Sequence, residues 1–176
     1  MPSLKGEIYM EKSGFFNSAS GDRIYDATDF AAYFGDLVSN GIFHRNAENL
    51  QVVAATGMNV TVRPGTAWIN GYHYTNTTPL DLPIPTADGV NPRIDRIVVR
   101  WNNVGRTIRL AVLSGSPAPT PNPPNITRNN DIWELGIATV YVLRGAVAIT
   151  AENISDTRLS PTVCGLVNSL MSAVYQ

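Results

Sequence analysis

The side chains able to do chemistry in this 176-residue chain are few and scattered. The only histidines are His44 and His73, and the only cysteine is Cys164. No His-x-x-x-His, His-x-Glu or paired-cysteine spacing supplies three metal ligands, so no metal site is expected. Cys164 with either histidine would make a nucleophile pair, but an apolar helical stripe around Cys164 predicts a buried, inert thiol. Gly-x-Ser-x-Gly is absent, and Gly57, Gly65 and Gly71 have the spacing of turns rather than of a phosphate loop. Asp29, Asp36, Asp95, Glu134, Glu152 and Asp156 include enough carboxylates for a glycosidase pair, yet ion pairing and capping account for them equally well. The residues therefore predict a protein that is not an enzyme, with no catalytic residues and no cofactor.

Binding chemistry has two candidate sets. Trp68, Tyr72 and Tyr74 offer aromatic faces on which sugar rings stack, although Tyr72 and Tyr74 point the same way, which is more often the pattern of a core than of a platform. Arg96, Arg100 and Arg109 fall on one face of a strand pair and need acidic neighbours, for which Glu134 and Asp156 are the candidates. Paired, they form internal scaffold; unpaired, they form a docking surface.

The elements that must position these groups are mostly strands. Apolar residues make up 44% of the chain and charged ones 15%, enough for one domain with a sizeable core. A net charge of -1 without a basic block gives no attraction for nucleic acid. No run approaches the ~20 apolar residues of a membrane span, and residues 1–7 lack the pattern of a signal peptide, so neither membrane insertion nor secretion is expected. Between Leu50 and Ile154, short Val/Ile/Thr/aromatic runs end at Gly, Pro or Asn, the pattern of an antiparallel β-sandwich. Asn70-Gly71 predicts a type I′ turn between Ala67–Ile69 and Tyr72–Tyr74. Leu135–Val142 and Ala146–Ile149 read as another hairpin, and the prolines of Ser116–Asn125 predict an extended surface loop.

Two segments have a helical period. Phe30, Tyr33, Phe34 and Leu37 place a helix at 28–39, with Thr28 as N-cap and Gly41 as its stop. Val163, Val167, Leu170 and Val174 after Ser160-Pro161 predict a short C-terminal helix that either opens an oligomeric bundle or docks on its own domain. The fold class expected is mainly β: an N-terminal arm at 1–24, a sandwich at 25–159 containing the first helix, and the C-terminal helix at 160–176.

The sharpest expectation concerns the hairpin Ile94–Trp101 with Thr107–Leu113. Ile97, Val99, Trp101, Ile108, Leu110 and Val112 share its apolar face. One register pairs Trp101 with Ile108 and sets Arg100 against Arg109; the other pairs Val99 with Ile108 and sets Arg100 against Thr107. Like charges directly opposed destabilise, which favours the second register, with Asn102–Gly105 as the loop and Gly105 at positive φ.

The order of these features resembles a known family. An early aromatic helix, Pro64-Gly65-Thr66-Ala67-Trp68-Ile69-Asn70-Gly71-Tyr72, Asp95-Arg96-Ile97-Val98-Val99-Arg100-Trp101, a proline-rich loop, Trp133–Ala138, Ile154–Arg158 and Val163-Cys164-Gly165 together resemble the N-terminal modules of siphophage baseplate and receptor-binding proteins. The chain looks like a small tail-region protein of a Bacillus siphophage, similar to the "shoulder" domain of lactococcal phage receptor-binding proteins over about residues 25–165. The resemblance implies a non-enzymatic structural or adaptor module of a virion tail or baseplate, made in the host cytoplasm, with other tail proteins as partners. It implies that Pro64-Gly65, Asn70-Gly71, Asp95, Arg96, Arg100, Glu134, Asp156 and Arg158 are scaffold positions. Only eleven residues follow Gly165 here, where larger members continue to a host-recognising head, so direct receptor recognition is not expected. A carbohydrate-binding module for cell-wall glycans is the alternative.

Overall fold

The short Val-, Ile- and Thr-rich runs become antiparallel strands, and a computed structural model describes them over residues 13–44 and 46–171. In chain order the elements are α1 (Ala27–Leu37), β1 (Gly41–Ile42), β2 (Val52–Ala54), β3 (Asn59–Val62), β4 (Gly65–Ile69), β5 (Tyr72–Asn76), β6 (Leu80–Pro83), β7 (Arg93–Asn102), β8 (Thr107–Leu113), β9 (Ile132–Val142) and β10 (Ile154–Asp156). They form three sheets, ordered β1-β4-β5, β2-β3-β6 and β10-β9-β7-β8. One core joins all three: Ile42, Val60, Val62, Ala67, Ile69, Ile97, Val99, Leu135, Ile137 and Val140 are buried in a single cluster. The sandwich-like, mainly β class with one short N-terminal helix is the architecture observed. The edge strand β10 lies beside β2, and β6 lies beside β8, so several edges are covered rather than left open to pairing.

The β7–β8 register is the one that charge repulsion disfavours. Trp101 pairs with Ile108, Arg100 with Arg109 and Asn102 with Thr107. A third strand removes the objection: β9 places Glu134 opposite Arg100 on the other side of β7. Arg100 Nε donates to Glu134 Oε1 at 2.6 Å, so a carboxylate neutralises the arginine that Arg109 would repel. The loop is then Asn103–Arg106, and the residue at positive φ is Arg106 (φ 50°), not Gly105.

The helical expectations need two corrections. The N-cap of α1 is Asp26, whose carboxylate accepts from Thr28 N at 2.8 Å while Asp29 Oδ2 accepts from Asp26 N at 2.9 Å. This reciprocal capping box outcompetes Thr28 and starts the helix one residue early. Val38 is already extended, so the helix ends before Gly41, which opens β1. The described part of 160–176 is not a helix. Cys164 N reaches Ser160 O at 2.8 Å to make one turn, and Gly165 at φ 86° then reverses the chain. Leu166–Leu170 runs beside β1: Ile42 N donates to Gly165 O at 3.0 Å, Val167 N to Ile42 O at 2.9 Å, and Leu170 N to Leu37 O at 2.9 Å. The segment thus docks on its own domain. Val174 lies outside the described residues, as does the arm before Ser13.

The expected hairpin of Leu135–Val142 with Ala146–Ile149 also gives way. The partner of β9 is β10, with Ile154 opposite Val140 and Asp156 opposite Ala138. Ala146–Ile149 instead crosses to the β2–β3 turn, where Ile149 N donates to Gly57 O at 3.0 Å. The Asn70-Gly71 turn forms as expected, with φ of 50° and 81° and Ile69 paired with Tyr72.

Candidate ligand-binding cleft

The arginine face turns out to be largely internal. The extended segment after Pro117 crosses it, and Arg96 Nε donates to Pro124 O at 2.9 Å. Burial lowers the pKa of Arg96, and the nearby Glu134 charge opposes that shift. Glu134 is 1% exposed; its second oxygen accepts from Thr127 N at 2.7 Å. Asp156 does not serve this face. It pairs with Arg158, two residues on, at 2.6 Å, and the same guanidinium donates to Ala47 O and Asn49 O at 2.9 and 2.7 Å. The hydrogen bonds that Arg158 donates to the Asp156 carboxylate hold it below its ordinary pKa. Arg109 alone of the three arginines is exposed, and among the described residues it has no acidic partner.

A further buried pair escaped sequence reasoning. Arg93 Nε donates to Asp95 Oδ1 at 2.9 Å, its other nitrogens reach Thr86 O and Pro85 O, and Asp95 also accepts from Gly115 N at 2.8 Å. The i, i+2 spacing along β7 was the available signal, since alternate residues share a strand face. Asp95, Glu134 and Asp156 are therefore each engaged by an arginine, and Asp29 caps α1. Cys164 is 4% exposed, and burial pushes its thiol up to about 12, which keeps it protonated. Among the described residues no group of three His, Cys, Asp or Glu side chains converges as a metal site, and no helix is long and apolar enough to cross a membrane.

The aromatic candidates divide by strand parity. Trp68 sits opposite His73, whereas Ala67 and Ile69 sit opposite Tyr74 and Tyr72. Tyr72 and Tyr74 consequently turn toward the core, and Trp68 turns to the other face. There Trp68 meets Phe34 edge-on at 5.7 Å and Phe43 at 6.3 Å, and its buried indole N–H has no partner among the described residues. Trp68 does not join the two tyrosines in a stacking platform.

Tyr72 and Tyr74 instead reach a cleft of about 600 Å³ between β5, the β7–β8 hairpin and the start of α1. Both strands beside it, β5 and β8, are sheet edges. Trp101 and Ile108 complete its apolar wall, and the Tyr72 and Trp101 rings lie 5.9 Å apart at 34°. Thr28, Thr75, Asn103, Arg106 and Thr107 give it a polar rim. Burial raises the pKa of Tyr74, so its hydroxyl remains a donor at neutral pH. Among the described residues neither the Tyr72 nor the Tyr74 hydroxyl has a hydrogen-bond partner. The volume and the mixture of aromatic wall and polar rim suit a small ligand or one segment of a chain. The observed register places Arg106 in the loop rather than opposite Trp101, which is why its rim position is not legible in the sequence.

No protein-family model matches this chain, and comparison with the curated proteins and with the solved structures finds no match either.

Proposed function

We propose that the protein is a non-enzymatic structural or adaptor module of a phage tail or baseplate, carried in the virion as part of the host-adsorption apparatus. The observation that carries this reading is the aromatic face of α1, where Phe30, Tyr33 and Phe34 are 46%, 48% and 40% exposed. Only Ala31 of the helix is buried, and the neighbouring Phe15 and Phe16 are exposed as well. Apolar surface gathered in this way marks a protein interface. Asp36 is exposed on the same helix, so the fitting partner is another tail protein with an apolar face and a basic rim. The use of Asp95, Glu134 and Asp156 in intramolecular ion pairs supports the same reading, as does a motif order that resembles that of siphophage baseplate modules. Co-expression with the products of the flanking genes tests it. Co-elution with one of them, lost in a Phe30→Ser/Tyr33→Ser variant, is the expected result; a protein that co-elutes with none of them contradicts it.

The cleft favours a second reading, a carbohydrate-binding module for cell-wall glycans. It supplies aromatic rings for sugar C–H faces beside unpartnered hydroxyls. Saturable binding to purified wall glycan supports this reading, and its absence rejects it.

A further inference from the structure

We propose that the cleft takes an anionic carbohydrate, a saccharide or polyol chain bearing phosphate or carboxylate groups, with Tyr72, Tyr74 and Trp101 as its floor and Arg106 binding the charged group. The inference rests on the carbohydrate-binding reading and adds charge selectivity to it.

The lining of the cleft is asymmetric in charge. Arg106 stands at its rim, and none of the described lining residues is Asp or Glu. A neutral sugar offers that guanidinium only single hydroxyl acceptors, whereas a phosphate or carboxylate accepts its paired N–H donors in a fork and adds opposite charge. Among the described residues the Arg106 side chain makes no hydrogen bond or ion pair, so the fold itself does not employ it.

The backbone of Arg106 adds an independent argument. Its φ of 50° lies in the left-handed region, which glycine enters without steric cost and a side-chain-bearing residue does not. Asn102 Oδ1 accepts from Gly105 N at 2.7 Å, and Arg106 N donates to Asn103 O at 3.2 Å, so the turn is held by backbone and asparagine contacts that do not involve the guanidinium. The hairpin turn sets this φ and would accept glycine at lower cost, so the guanidinium beside the cleft is not what holds the turn. Glycine at this position would relieve the strain while leaving the turn bonds in place.

Titration calorimetry on the full chain tests the proposal with three probes: poly(glycerol phosphate), an oligogalacturonate and neutral maltoheptaose. The expected result is binding of at least one anionic probe at least tenfold tighter than the neutral one, weakening as salt rises. Arg106→Gly should melt no lower than the parent protein yet lose at least tenfold in affinity, with Arg106→Lys recovering part of it. Equal affinity for neutral and anionic probes, unchanged by Arg106→Gly, overturns the charge selectivity and leaves the carbohydrate reading standing. Failure to bind any probe overturns both. A melting temperature several degrees lower in Arg106→Gly shows a structural role for the arginine and also overturns the proposal.

Discussion

Glu134 is the residue on which the arginine face depends. It is almost wholly buried and accepts from Arg100 and from Thr127 N, while Arg100 keeps 37% of its side chain exposed. Glu134→Gln leaves the shape and removes the charge, and should cost about 2 kcal/mol, less than a fully buried pair because water still reaches Arg100. Thermal unfolding checks this, with a fall of roughly 4–8 °C expected for a chain of this size. Arg109→Thr should change stability by less than about 0.5 kcal/mol, because Glu134 already neutralises the charge opposite it. Asp156 carries a pH signature. Its folded pKa lies below the ordinary 3.8, chiefly through the Arg158 hydrogen bonds, so its contribution is present above that value and is lost as pH falls through the lowered one. Melting curves of Asp156→Asn should therefore fall less steeply than those of the parent protein below about pH 4. Cys164, held protonated by burial, should resist iodoacetamide at pH 8 until the protein is unfolded.

At the scale of elements, the Asn70-Gly71 turn ties α1 to the sandwich. Asn70 N donates to Asn40 Oδ1 at 2.7 Å, Asn40 Nδ2 returns the bond to Asn70 Oδ1 at 2.9 Å, and a Cβ on Gly71 would fall onto the Ala31 carbonyl. Gly71→Ala should cost about 2 kcal/mol or more, since the clash adds to the positive-φ penalty, and chemical denaturation would measure it. Removing residues 166–176 should lower the melting temperature by stripping the bonds to Ile42 and Leu37, while the sedimentation coefficient stays that of the same oligomer. The strands and the type I′ turn were legible in the sequence because alternation and turn chemistry act locally. The β7–β8 register was not, because a pairwise repulsion decides it only when no third strand intervenes, and Glu134 lies 34 residues from Arg100 in the chain. The C-terminal helix failed for a related reason: its apolar stripe was real, but Gly165 and the exposed edge of β1 offered Leu166–Leu170 an extended partner.

For the whole molecule, Arg96, Arg100, Glu134 and Asp156 are engaged within the fold while Arg109 is not, and the α1 region exposes aromatic rings. Tyr72 and Tyr74 were visible as candidates, but not their separation from Trp68, which follows from strand parity, nor their meeting with Arg106 across two sheet edges. The exposed face of α1 was legible as a stripe, although a stripe alone does not distinguish a core contact from an interface. On the proposed reading, this chain is a docking module built into a phage tail. Quantitative mass spectrometry of purified virions tests it most directly. The account predicts peptides of this protein in fixed proportion to the other tail proteins, retained after high-salt washing; virions that contain all their other tail proteins but none of this chain would contradict it.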